Sequence, residues 1–302
     1  VTTPSFDIVP LDEVPEGDVV AAIAATFGPR SMAWFHWKHR ENPAGPSLGW
    51  VARDEDGIVG VRLLLRWNLR LRGRRVRAVR PVDTVTVPRA RRRGVFRVLT
   101  ETALDEVARR GVADIVFNTP NERSRPGYAR MGWTALPPVH TGYGIVQPLP
   151  GRTLDVSLHP PDHLDRLLPP DRLATARGPR YLAWRYDERS GHAYRLVAPV
   201  HADRPALVVY RPARRFGAKT LVVCEAFGEA RVLRRLLRAV ASRERALFVL
   251  LAFGPGALAP PLPVRFPRGS STLAVRALRE LPVDPRDRDA WALDLGDLED
   301  VL

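Results

Sequence analysis

The sequence is short of the residues that build most metal sites and disulfides. It holds a single cysteine, Cys224. No disulfide can close within the chain, and no cysteine-based metal cluster can form. Cys224 lies in the apolar run TLVVCEAF and reads as a small buried residue, with a nucleophile as the less favoured alternative. Lysine is nearly absent too. Of 47 basic residues only Lys38 and Lys219 are lysine, so 45 are arginine. No apolar run is long enough for a membrane span, and the first residues lack a basic-then-apolar signal pattern. A cytoplasmic setting with no membrane partner is therefore expected. There is no helix-turn-helix spacing, no zinc pattern and no basic stripe interleaved with aromatics, so nucleic acid is not the expected partner.

The charge balance is +14. One reading is an anionic partner: a nucleotide-like cofactor or an acidic protein. The other is compositional drift, since arginine, alanine, proline, valine and glycine are all abundant. The 302 residues suffice for one large or two ordinary domains. SFDIVPL reads as a strand, and GDVVAAIAATF and SMAWFHWKHREN as helices, the second stopped by Pro43. A strand meander follows, turning at Asp56-Gly57 and at Gly73. RGVFRVLTETALDEVARRG reads as a helix ending at Gly111, and ADIVFN as a strand. Pro148-Leu149-Pro150-Gly151 interrupts the pattern and divides the chain into 1–147 and 148–302. The second part then repeats the order of the first. RYLAWRYDERSGHAYRLVA echoes AWFHWKHRENPAGPSLGWVA, with Trp184 in the place of Trp37 and Arg185 in that of Lys38. Sheets flanked by helices imply an α/β (α+β) architecture.

Two stretches carry chemistry. In VDTVTVPRARRRGVFRVL a strand meets Pro88, four arginines and a glycine, then a helix. The first turn of a helix has unpaired N–H groups and a partial positive charge, which suits phosphate oxygens. Gly94 removes a side chain where backbone must approach a ligand. Arg89, Arg91, Arg92 and Arg93 can add charge-assisted bonds. The second stretch is VFNTPNERSRPGYARMGW. Asn121 precedes Tyr128 by seven residues, and Tyr128 precedes Gly132-Trp133 by four.

Arg91-Arg92-Arg93-Gly94-Val95-Phe96 resembles the Arg/Gln-x-x-Gly-x-Gly/Ala pyrophosphate motif of the GNAT superfamily of acyl-CoA-dependent N-acyltransferases, with Phe96 in place of the last small residue. Asn121, Tyr128 and Gly132-Trp133 are similar to that superfamily's Asn…Tyr…Gly-Phe segment. The tail DAWALDLGDLEDV looks like the end of bacterial proteins with two GNAT-like halves. The resemblance implies tandem GNAT-like folds, each a mixed, mostly antiparallel sheet flanked by helices. It implies that ADIVFN splays from VDTVTV, and that acetyl-CoA or a longer acyl-CoA binds in the gap. The backbone around Val85 and Val87, the Arg89–Phe96 loop (with Val95) and Asn121 would hold the cofactor.

The implied reaction is attack of an amine on the thioester, with Tyr128 as general acid for the leaving thiolate. Asp83 is the candidate catalytic carboxylate; an ordinary structural role is equally open, and no single base need exist. Trp34, Trp37 and His140 are candidates for the acceptor side, though an aromatic pair at helical spacing more often packs in a core. His36 and His39 are weaker candidates. The second half lacks both motifs, so it is expected to shape the acceptor site or serve folding and assembly. An acidic acyl carrier protein is an alternative donor for so basic a surface. The acceptor is a small-molecule or peptide amine, no metal is expected, and the alternative function is a non-catalytic acyl-CoA-binding or assembly protein.

Overall fold

The computed structural model describes residues 6–146, 156–160, 164–200, 205–254, 257 and 265–298. The strand β1 (Asp7–Pro10) leads to α1 (Glu16–Phe27), which buries Val19, Val20 and Ile23. α2 (Met32–Phe35) is capped by the Ser31 hydroxyl, which accepts from the Trp34 amide at 3.1 Å. It runs on as one π-helical stretch over His36–Arg40, which buries Trp37, Lys38 and His39 together. β2 (Leu48–Asp54), β3 (Gly57–Leu71) and β4 (Arg74–Thr86) form the expected meander. The β3–β4 turn holds both Arg72 and Gly73 at positive φ (50° and 73°), the combination a two-residue primed hairpin turn needs. Next come α3 (Val95–Arg109), β5 (Ile115–Asn118), α4 (Arg125–Arg130), β6 (Thr134–Ala135) and β7 (Val139–Ile145).

The rest of the chain supplies β8 (Val156–Ser157), β9 (Leu173–Thr175), α5 (Pro179–Arg185), β10 (Arg195–Pro199), β11 (Ala206–Arg215) and β12 (Ala218–Gly228). It ends with α6 (Ala230–Glu244), β13 (Phe248–Phe253), β14 (Arg265–Ser271), β15 (Ala274–Ala277), β16 (Trp291–Ala292) and α7 (Leu295–Leu298).

These strands make two mixed, mostly antiparallel sheets, each flanked by helices. The first runs β1-β2-β3-β4-β5-β15-β6, and the second β14-β7-β13-β12-β11-β10-β8. The two orders superpose as a repeat, with one exchange. β7 pairs with β13 and β14 in the second sheet, and β15 pairs with β5 and β6 in the first. Strand pairing thus crosses the expected 147/148 division in both directions. The Pro148–Gly151 stretch behind that division lies outside the described residues.

The two echoed tryptophans meet in the structure. Trp37 and Trp184 stack with ring centroids 6.0 Å apart. Each indole N–H donates to the other's carbonyl, at 2.6 Å from Trp37 and 2.7 Å from Trp184. Trp37 is fully buried there and packs the halves together; it is not among the residues that line the cleft between β4 and β5.

Candidate active site

The cleft begins where two parallel strands part. β4 and β5 pair only at Ala78↔Ile115 and Val79↔Val116, and beyond that point they diverge. Opposite Arg62 the β3–β4 register shifts, and Asp83 takes positive φ (46°). Such a bulge re-aims side chains next to the gap. The result is a cleft of about 700 Å³ between β4, β5, α4 and the start of α3. Its walls include Asp83, Thr84 and Thr86 from β4, Arg91 and Phe96 from the loop and helix, and Asn121 and Tyr128 beyond β5. Five arginines (Arg30, Arg80, Arg91, Arg123, Arg130) line it against one carboxylate, Asp83. An anionic ligand is the natural occupant of such a field.

Gly94 is the N-cap of α3 at φ 79°, with no capping side chain, and a Cβ there would meet open space. The first amides of α3 are left free for an acceptor. Arg91 faces the cleft. Arg89 instead forms a fork with Asp54 (2.5 and 2.8 Å), and Arg93 lies 3.7 Å from the same carboxylate. Arg92 is exposed at φ 66°. Of the four arginines in the motif, only Arg91 is among the residues that line the cleft. Val85 and Val95 are buried in the cores on either side of the sheet, and the Val87 amide donates to Val59 O (3.0 Å). Val85's neighbours Thr84 and Thr86 are the strand's cleft residues. Phe96, where a small residue is usual, packs edge-on against Tyr128 at 5.4 Å and over Gly127.

Asn121 accepts the Ser124 amide (3.0 Å) and so starts α4, which carries Tyr128. The Tyr128 ring is buried between Phe96 and Trp133 (4.7 Å). Its hydroxyl accepts from Arg62 Nη1 at 3.1 Å. Arg62 also donates to Thr84 Oγ1 (2.6 Å) and to Thr100 Oγ1.

Asp83 lies 2.5 Å from the Lys38 ammonium, off the hydrogen-bonding direction, and 3.2 Å from His39 Nε2. Burial alone would raise the Asp83 carboxyl; the Lys38 charge and the His39 hydrogen bond overcome this and hold it at about 2. Burial pushes both Lys38 and His39 below their ordinary values. His39 Nδ1 is bonded to Ser47 (2.9 Å), so both its ring nitrogens are engaged. Asp83 is therefore a persistent anion and a weak proton acceptor. His36 is exposed and pairs with Glu16 (2.7 Å). Trp34 is covered by Arg30 and Lys38. His140 is exposed on β7, in the second sheet, against Phe253. Neither Trp34 nor His140 is among the residues that line the cleft.

Sequence reading missed Arg62, Arg80 and Lys38. Arg62 interrupts the apolar stretch 60–65 of its strand, which is the available signal; Arg80, in a strand already rich in arginine, offers none. Arg80 is buried under the cleft and donates to Thr119 Oγ1 (3.0 Å) and Asp297 O (2.8 Å). Among the described residues no cluster of three metal-ligating side chains occurs, and no helix is long and apolar enough to cross a membrane.

Residues 11–136 match the acetyltransferase (GNAT) domain family. No functionally curated protein matches the chain in sequence. Among solved structures, a GCN5-related N-acetyltransferase from Anabaena variabilis is similar at 13% identity and TM-score 0.68, over 91% of this chain and 73% of that one. Eis1 from Mycobacterium abscessus is similar at 17% identity and TM-score 0.60, over 90% and 73%. A tandem GNAT protein from the clavulanic acid biosynthesis pathway is similar at 18% identity and TM-score 0.51, over 92% and 100%. The chain thus has a GNAT acetyltransferase-like fold in tandem arrangement.

Proposed function

We propose that the protein is an N-acyltransferase that moves an acetyl or longer acyl group from a coenzyme A thioester to an amine. The observation that carries this reading is Tyr128, its hydroxyl bonded to Arg62, in the wall of an arginine-lined cleft between parting strands. In this reading the uncapped start of α3, with Arg91, takes the pyrophosphate. Thr84, Thr86 and Asn121 flank the pantetheine arm. Asp83, a fixed anion, draws the amine to the thioester, and the amine's proton leaves to water. Tyr128 gives its proton to the sulfur as the C–S bond breaks, and the phenolate is reprotonated from solvent. Residues 1–147 supply this machinery and 148–302 shape the acceptor side, apart from the exchanged strand β15. An acidic acyl carrier protein would serve as donor in place of coenzyme A if transfer from it proves salt-sensitive and faster.

The test is calorimetric titration with acetyl-CoA, beside a Gly94→Glu variant, followed by amine screening with a free-thiol readout. Binding lost in the variant and thiol release dependent on an amine support the reading. Binding with no release for any amine, and no rate effect of Tyr128→Phe, would favour a non-catalytic acyl-CoA-binding protein.

A further inference from the structure

Arg62 is a buried cation with no buried anion beside it. Its side chain is fully enclosed. Its donors go to two threonine hydroxyls and the Tyr128 oxygen, and its Nε–H has no partner at all. Its guanidinium carbon lies 5.0 Å from the Phe96 ring centroid and 5.5 Å from that of Tyr128. No carboxylate of the described residues forms an ion pair with it, although Asp83 lines the same cleft and is taken by Lys38. Burying a guanidinium among neutral groups is costly, and a hydrophobic side chain of similar length would avoid that cost. A charge kept in such a place suits a site where negative charge forms only during reaction.

A guanidinium has donors only. Its bond to Tyr128 therefore fixes the phenol oxygen as acceptor and leaves the phenol proton to point elsewhere, toward the cleft. Thr100, which receives Nη2, donates its own proton to Phe96 O (2.6 Å), so it too is held as an acceptor. The threonines thus hold the guanidinium in one orientation behind Tyr128.

We propose that Arg62 is the positioning residue for proton transfer: it aims the Tyr128 proton at the leaving sulfur and stabilises the negative charge shared by that sulfur and the phenol oxygen. This rests on the acyl-transfer reading above. The amine nitrogen bonds to the acyl carbon, the C–S bond breaks with its electron pair on sulfur, and the proton passes from Tyr128 to sulfur. The charge left on the phenol oxygen faces Arg62 until water returns a proton.

The test uses free coenzyme A, whose thiol is the product, and so does not depend on turnover. Binding to the full-length protein is measured by calorimetry against pH, with desulfo-coenzyme A as control. The thiolate of the bound ligand is followed by its ultraviolet absorbance. In the wild type the bound thiol should ionise at lower pH than in Arg62→Met and Arg62→Gln, with Arg62→Lys close to the wild type. The desulfo control should bind all four proteins within about threefold. Where amine acylation is measured, Arg62→Met should lower kcat about 100-fold with little change in the donor KM, and adding Tyr128→Phe should cost little more, as for groups acting as a unit. If coenzyme A binds and its thiol titrates alike in wild type and both neutral variants, the role of Arg62 is overturned while the cleft reading stands. If neither ligand binds the wild type, both fall. Arg62→Gln keeps two donors and serves should Arg62→Met not fold.

Discussion

Tyr128 and Asp83 both line the cleft, and each makes a separable claim. The Tyr128 ring is held by Phe96 and Trp133, so Tyr128→Phe removes one oxygen and leaves the packing in place. With kinetics measured on an accepted amine, kcat should fall about 10²–10⁴-fold, the range for loss of a general acid, while acetyl-CoA affinity stays within a few-fold. Asp83 makes a claim about pH. Its carboxyl titrates at about 2 in the folded protein, against an ordinary value of 3.8. A depressed folded value means the unfolded chain binds the proton more tightly. The stabilisation is therefore present above pH ~4 and is lost as pH falls through 4 toward 2. Thermal unfolding from pH 6 to pH 2 should show this loss in the wild type, and the loss should be smaller in Asp83→Asn. At pH 7 that variant strands the Lys38 ammonium, which has no exposed surface, and should be less stable by about 3–5 kcal/mol. Equal stability of the two proteins at pH 7 would show that the Lys38–Asp83 pair does not matter. The carboxylate was visible in the sequence but its partners were not, because Lys38 and His39 approach it from a helix more than forty residues away.

At the scale of elements, the helices and hairpins were readable and the docking between them was not. The Gly57 and Gly73 turns, the period of α3 and the Asn121-to-Tyr128 spacing are local patterns, and they reappear as the β2–β3–β4 meander, α3 and α4. Arg89 and Arg93 share a short run with Arg91, and the sequence alone sets all three alike as cofactor ligands. Asp54, on β2, forms a fork with Arg89 and lies 3.7 Å from Arg93, and the pairing of β2 with β3, and of β3 with β4, brings it there. Phe96 departs from the small residue expected at the start of α3, and the structure shows its counterpart. A Cβ on Gly127 would lie 2.9 Å from Phe96 Cε1. The two positions jointly set how α4, and so Tyr128, sits against α3. Gly127→Ala should push the Phe96 ring against Tyr128 and lower both the melting temperature and the rate. Phe96→Ala should suppress part of that defect, so the double variant is better than the sum of the singles. Strict additivity in melting temperature would mean that the two helices do not contact through this pair.

On the scale of the molecule, the repeat is an exchange as much as a duplication. β15 fills the place between β5 and β6, and β7 the place between β13 and β14. No local pattern could have announced this, since both strands have the same neighbours in sequence whichever sheet receives them. Further ties cross between the halves. β9 pairs with β3 at Leu69↔Thr175 and Arg70↔Ala174, and Trp67 Nε1 donates to Thr175 Oγ1 (2.9 Å). The same threonine donates to Asp297 Oδ1 (2.6 Å), whose other oxygen receives Arg177 Nη2 (2.7 Å). Arg80, under the cleft, bonds to the Asp297 carbonyl. A fragment of residues 1–147 would keep Tyr128, Asp83 and the whole arginine loop. It would also leave β5 with an open edge, expose Trp37, and hold β7 as an unpaired strand. Exposed strand edges favour association over folding. The intact protein should therefore unfold in one cooperative calorimetric transition. The 1–147 fragment alone should aggregate or show no such transition, and co-expression with 148–302 should recover a soluble complex that binds acetyl-CoA wherever the intact chain does. A 1–147 fragment that is monomeric and unfolds cooperatively would mean that β15 and the tryptophan pair are dispensable, and that residues 1–147 form an independent domain.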